Sequence, residues 1–323
     1  MKKILFYFCF VIILIFTMPI VFTNKFETKE VVSTNPVEEN LSSGDIKMIK
    51  LLHTESGNIE ILDLDSYLIG VVASEMPASF EKEALKAQAI VARTYTFYQI
   101  KNERKHENAD ICDSPFCCQA WISKENRFAR WEDEKEEEYW NKISKAVLET
   151  KDKIIKYNNE PIKAFFHSNS GGKTELAINV WGGDLPYLQC IETNGEDAYT
   201  SYNSILEVSK DDFIKKMLEQ YSEFKIDFQK DDCIKILEYT EGERVQNVKI
   251  GNKNLSGIEC RKIFELKSAK FDIEVLENSI KFFVTGYGHG VGLSQCGSDF
   301  LAKQGKKYEE IIKYYYKDIV ISE

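Results

Sequence analysis

Apolar and polar positions alternate most informatively in "LDSYLIGVVASEMPASF", residues 64–80. Leu64, Leu68, Val71, Val72 and Glu75 share one helical face, so an aliphatic stripe ends in a carboxylate. Pro77 restrains Met76 from helical geometry, and the helix is expected to stop there, with Asp65 as the residue able to cap its start. A second helix is expected from Phe80 to about Lys101, with Ser79 as N-cap and Glu81 and Glu83 in its first turn. Upstream, "IKMIKLLH" and "IEILDL" flank "TESGN" in the manner of a β-hairpin.

Further along, "WEDEKEEEYWNKISKAVLET" reads as a helix with a charged start. "KIIKYNNEPIKAFFHSNSGG" reads as two strands around an "NNEP" turn, leading to a glycine loop. "SILEVSKDDFIKKMLEQY" reads as strand then helix, and "CIKILEYTEGERVQNVKIGNKN" as a hairpin before a short helix from Leu255. "FDIEVLENSIKFFVTGYGHGVG" gives two strands and another glycine loop, and "LSQCGSDFLAKQG" and "YEEIIKYYYK" are helical. Hairpins mixed with helices predict an α+β fold, a mixed helix and antiparallel-sheet domain over residues 46–323 with a catalytic cleft.

The N-terminus has a different pattern. Ile4 to Phe22 is almost wholly apolar, and no charge falls between Lys3 and Lys25. About 20 such residues cross a hydrocarbon layer of about 30 Å. A cleaved signal peptide is the competing reading, but "TMPIVFTNK" lacks a clear small-x-small site. The expectation is a single-pass transmembrane anchor over residues 4–23, a cytoplasmic tail of residues 1–3, a linker over 24–45 and an extracytoplasmic remainder. The net charge of -10 argues against a general nucleic-acid binder, because phosphate contacts need a basic surface. Beyond Cys9 in the apolar span there are seven cysteines, an odd number that cannot all pair within one chain.

Glu75 is the first candidate for chemistry. Apolar neighbours and a helix C-terminus both disfavour its charged form, and a carboxyl kept protonated near neutral pH suits a general acid. Arg93, on the Ala-rich second helix, is placed to meet Glu75 or an anionic group. In "HENADICDSPFCC", His106, Cys112 and Cys118 are spaced six and six, and imidazole and thiolates are good zinc ligands. Asp, water or Cys117 would complete a tetrahedron; a Cys112–Cys118 disulfide is the rival. Ser168, Ser170 and Thr174 offer hydroxyls in "HSNSGGKTE", and His289, Ser294 and Gln295 lie in the glycine-rich "GYGHGVGLSQCG".

Four blocks carry a resemblance: "YLIGVVASEMPASFEKEALKAQAIVARTYTFY", "FFHSNSGGKTE", "VWGGDLPYL" and "GYGHGVGLSQCGSDFLAKQG". In this order they resemble the stage II sporulation protein D family, across Tyr67 to Gly305. The resemblance implies a membrane-anchored lytic transglycosylase of peptidoglycan, acting during forespore engulfment from the mother-cell membrane. Its acid would be Glu75, and its preferred glycan strands would be stripped of stem peptides by the amidase called stage II sporulation protein P. It also implies a structural zinc near the cleft on His106, Cys112 and Cys118, as in clostridial-type members, and sugar contacts from the block around His289. Two other classes compete. One is a non-catalytic, glycan-binding activator of a cell-wall amidase. The other is a zinc hydrolase using His106, His167 and His289.

Overall fold

The computed structural model describes residues 46–323 apart from position 133. The proposed N-terminal anchor and most of the linker lie outside the described residues; within them no helix is long and apolar enough to cross a membrane.

The chain opens with β1 (Met48–Leu52) and β2 (Ile59–Asp63), an antiparallel hairpin, followed by α1 (Leu64–Glu75) and α2 (Lys82–Tyr98). A π-helical turn, Gln99–Glu103, leads to β3 (Ile111–Cys112), which pairs parallel with β1. Then come α3 (Lys124–Phe128), α4 (Glu136–Leu148), β4 (Ile154–Tyr157), β5 (Glu160–Pro161), β6 (Phe166–His167) and α5 (Ala177–Trp181). The middle of the chain forms β7 (Asn203–Ser209), α6 (Lys210–Gln220), β8 (Ile234–Tyr239), β9 (Val245–Ile250), β10 (Lys253–Leu255), α7 (Gly257–Phe264), β11 (Phe271–Val275) and β12 (Ser279–Thr285). It closes with β13 (Leu293–Ser294), α8 (Gln295–Lys303), α9 (Tyr308–Tyr315) and β14 (Val320–Ser322).

Helix α2 is the axis of the larger core. Ala84, Ala87, Ala89 and Ala92 are fully buried, and their small side chains let α1, α4, α8 and α9 close around it. A second core lies between the β7–β12–β11 and β8–β9–β10 antiparallel sheets and α6 and α7, with Phe213, Phe264 and Phe282 stacked at its centre. The short parallel pair β6–β13 aligns Phe166 with Leu293 and His167 with Ser294. That pairing brings two glycine-rich segments, 127 residues apart in register, onto one edge of the larger core.

The cap of α1 is Asp63, whose carboxylate accepts the Ser66 N–H at 2.9 Å; Asp65 lies within the first turn, 3.5 Å from Lys151 Nζ. Helix α2 begins at Lys82 rather than Phe80 and has no side-chain cap from Ser79. Its entry is held instead by Asp299, a residue of α8 whose carboxylate accepts the Glu81 N–H at 2.6 Å. A cap supplied from over 200 residues away leaves no local signature, which is why the start was misplaced.

Candidate active site

Helix α1 ends where Pro77 was expected to end it: Met76 is extended, with φ -120° and ψ 143°. Glu75 is therefore carried on the last turn, half-buried, with no intrahelical partner for its side chain. A loop crosses over it. Gly70 allows this crossing, since a Cβ there would lie 2.2 Å from the Trp121 indole nitrogen. Gln119, buried beneath the same loop, donates to Tyr67 Oη at 3.2 Å and Thr96 Oγ1 at 3.0 Å. So pinned, the loop aims the Ala120 N–H at Glu75 Oε1, at 2.8 Å.

Burial pushes the Glu75 carboxyl up to about 7, against weaker opposing effects of the Ala120 N–H and the Gln295 amide. The carboxyl faces a cleft of about 370 Å³, also lined by Ser168, Arg127, Tyr199, Ser201 and Gln295. Among the described lining residues Glu75 is the one carboxyl and Arg127 the one cation. Arg127 stacks 4.7 Å from the Trp131 ring, and its Nε is buried with no partner among the described residues. Burial lowers its pKa, and no carboxylate opposes that shift. Arg127 and Glu75 thus share a cavity without pairing.

The predicted site residues separate into groups. Ser168 and Gln295 meet Glu75 at the cleft, joined by the β6–β13 pairing and by the Cys296 N–H donating to the Ser168 carbonyl at 3.0 Å. Arg93 does not. It is fully buried, and its guanidinium donates to the carbonyls of Val147, Thr150 and Lys153, closing the end of α4. Ser170 and Ser294 are also buried; both hydroxyls bond the Glu196 carboxylate, which further accepts from Thr193 Oγ1 and the Gly172 N–H. Thr174 donates to the Gln189 carbonyl at 2.9 Å. These hydroxyls hold the glycine loops in place and do not reach the cleft. His289 lies at a different cavity, with Nδ1 accepting the Val291 N–H at 3.0 Å.

His106, Cys112, Cys117 and Cys118 converge, with one donor atom from each within 4.8 Å of the others. His106 Nε2 lies 3.6 Å from Cys117 Sγ and 3.5 Å from Cys118 Sγ, and the two sulfurs are 3.8 Å apart. Tetrahedral bonds of about 2.3 Å to sulfur and about 2.0 Å to nitrogen give edges of roughly 3.8 and 3.5 Å, so the donors fit one metal ion. All seven cysteines of the described residues are free, and a disulfide would need sulfurs about 2.05 Å apart. Cys117 joins His106, Cys112 and Cys118 as a fourth candidate donor, so the group could fill a tetrahedron without water. His167 and His289 are not part of this group. Their rings face each other elsewhere, 5.7 Å apart, which removes the basis for a three-histidine hydrolase.

A family model described as Stage II sporulation protein matches residues 53–157, the segment carrying α1, α2 and the four metal donors. Stage II sporulation protein D of Bacillus subtilis (strain 168) is 35% identical over 300 residues, covering 91% of this chain and 85% of that protein. Stage II sporulation protein D of Bacillus amyloliquefaciens is 33% identical over 277 residues, covering 85% and 78%. The chain belongs to the stage II sporulation protein D family. A Bacillus subtilis protein named Amidase enhancer is 28% identical over 297 residues, which is 77% of this chain and 39% of that protein. Sporulation is therefore the setting of this family member.

Three residues at or behind the site had no sequence signal. Arg127 sits in the stretch before Trp131 that has no clean period. Glu196 follows a glycine in an unpatterned loop, yet it is 1% exposed and organises both glycine-rich segments. Tyr199, whose hydroxyl donates to Asp299 at 2.7 Å, lines the cleft from the same loop. A polar loop between patterned elements was the one hint available for the last two.

Proposed function

We propose that this protein is a lytic transglycosylase that cleaves the MurNAc–GlcNAc bond of peptidoglycan strands during sporulation. The observation that carries the reading is Glu75: one carboxyl, raised to about 7 by burial, facing a cleft with no second carboxyl among its described lining residues. Hydrolysis by a glycosidase uses two carboxyl groups, one as acid and one as base or nucleophile. One suffices when the substrate supplies the nucleophile. Protonated Glu75 gives its proton to the glycosidic oxygen as the C1–O bond breaks and GlcNAc leaves. The resulting carboxylate takes the proton from the MurNAc C6 hydroxyl, whose oxygen closes on C1 to give a 1,6-anhydro end. No water is consumed. The Ala120 N–H orients the carboxyl, Gln295 lines the cleft beside it, and Arg127 offers a cation to the lactyl carboxylate that MurNAc bears.

A structural zinc on His106, Cys112, Cys117 and Cys118 belongs to the same proposal, because a complete N/S donor set is the chemistry of structural zinc. When bound, the ion would fasten the loop that carries Gln119 and Ala120 over Glu75. The four residues fix where that loop begins; they take no part in the reaction. Residues 4–23 are proposed as the membrane anchor that presents the domain to the wall, and glycan strands and the amidase stage II sporulation protein P as its partners.

The relative named Amidase enhancer favours a second reading, a non-catalytic activator of an amidase. Mass spectrometry of glycan strands digested by the protein separates the two. Strands ending in 1,6-anhydroMurNAc from the parent, and none from Glu75→Gln, are the expected result. Reducing-end products would overturn the mechanism. Absence of cleavage by the parent, with amidase activity still enhanced by Glu75→Gln, would establish the activator.

A further inference from the structure

A second cavity of about 320 Å³ lies away from Glu75, and the proposed reaction does not use it. Arg244 and Arg261 reach its wall, with His289 beside them; Ile178, Val180 and Ile258 supply an apolar side. Arg244 is 3% exposed. It donates to the carbonyls of Ser170, Lys173 and Gly242, and its Nε is buried without a partner among the described residues. Arg261 is half-buried, with Nε donating to the Leu266 carbonyl at 3.3 Å.

Charge at this place is unbalanced. Burial is the leading reason that the half-buried His289 stays neutral, near 3, with Arg261 and Arg244 adding to it; burial also lowers Arg244, which Arg261 pushes the same way while Glu175 and Glu196 oppose. The one carboxylate on the wall, Glu175, is already occupied by Thr240 Oγ1, the Leu176 N–H and Asn179 Nδ2. No carboxylate opposes the desolvation of Arg261; the Tyr287 phenol alone acts against it. Two desolvated cations and one occupied acid leave the cavity positive within a chain of net charge -10. The backbone accommodates this arrangement. Gly290 has φ +82°, and a Cβ there would lie 1.9 Å from Arg244 Nη2, so the chain gives up a side chain to admit the guanidinium.

We propose that this cavity is a second ligand site, which takes the carboxylate of a small organic anion against Arg244 and Arg261 and its apolar part against Ile178, Val180 and Ile258. Guanidinium–carboxylate hydrogen bonds in a partly dry, apolar-walled cavity are the interaction such a site provides. The same carboxylate chemistry occurs in two sources, a sugar acid and a peptide C-terminus. Both are small enough for the volume. The site stands independently of catalysis at Glu75.

Calorimetric titration of the full chain tests it with two pairs of probes: N-acetylmuramic acid against its amide, and N-acetyl-dialanine against its C-terminal amide. At least one free acid is expected to bind saturably, with its amide about tenfold weaker or worse, the loss of one charge-assisted hydrogen bond. The pair that shows the difference identifies the source. Arg261→Gln should lose binding to the same extent, and Arg261→Lys should keep part of it. Ile258→Trp, which fills the cavity from the helix that also carries Arg261 while leaving both arginines in the sequence, should also abolish binding and covers the case in which Arg261→Gln fails to fold. Equal binding of acids and amides, undiminished binding by Ile258→Trp, or no saturable binding of either acid would overturn the proposal.

Discussion

Substituting Glu75→Gln should make the protein more stable at alkaline pH while abolishing glycan cleavage. The Glu75 carboxyl titrates near 7 in the fold against an ordinary value of 4.5, with burial as the leading cause. Because the folded value is raised, the neutral form favours the fold. That contribution is whole below 4.5, erodes as pH rises through the interval to about 7, and is gone above it. The gap corresponds to about 3 kcal/mol for keeping the charge in the cleft, and solvent reaching a half-buried carboxyl reduces this to about 1–3 kcal/mol. Glutamine is nearly isosteric and its carbonyl can still accept the Ala120 N–H, so the substitution removes the charge and little else. Urea unfolding of parent and variant across this pH range isolates the effect, since every other titrating group is shared and cancels in the difference. The variant's advantage should be near zero below 4.5, grow through the titration and level off above about 7. An advantage that does not change with pH, or a variant that is less stable at high pH, would refute a buried, proton-bearing Glu75.

Arg93→Met should cost about 3 kcal/mol in the same assay, because the carbonyls of Val147 and Thr150 lose their donor inside the core; the chemical identity of the glycan product should not change. Metal analysis of the parent should find one zinc per chain. Cys117→Ser should lower zinc retention as His106→Ala does, and a chelator should lower the thermal midpoint of the parent far more than that of either variant. Arg127→Ala should raise KM for strands bearing free lactyl carboxylates about tenfold, with a smaller effect on kcat, and Arg127→Lys should recover part of the loss. Initial-rate kinetics on such strands, with thermal midpoints as a check on folding, decides this last case.

Residues whose role depends on their own element were legible in the sequence; residues whose role depends on a distant one were not. Glu75 stood out because the aliphatic stripe of α1 and the stop at Pro77 are both local patterns, within one helix. The helices and most hairpins followed from the same short-range periodicity. Three of the four residues that converge as candidate metal donors are marked by their spacing, and Cys117 is only one option among several, because adjacency to Cys118 does not say which sulfur turns inward. Arg93 failed for the opposite reason. Its neighbours suggested a helix packed near Glu75, whereas its guanidinium serves backbone carbonyls 54 to 60 residues further along. Ser170 and Ser294 were read as sugar contacts, but the partner that claims both, Glu196, lies in a loop with no pattern of its own.

The energetic position of Glu75 also bears on the choice between enzyme and activator. A glycan-binding surface needs donors, acceptors and stacking faces, all of which work when solvated. It gains nothing from a carboxyl that destabilises the fold once ionised. The local architecture nevertheless covers and orients that group: Gly70 admits the covering loop, Gln119 pins it, and the Ala120 N–H meets one carboxylate oxygen. The proposed proton transfer would make use of a carboxyl raised to about 7, because there it can act as acid in one half of the step and as base in the other. An activator built on the same fold would be free to replace Glu75 by a neutral residue and gain the stability that the first prediction measures. The stability gained by Glu75→Gln and the activity lost with it are therefore two readings of one feature, and a variant that gains the stability while retaining every function of the parent would decide for the activator.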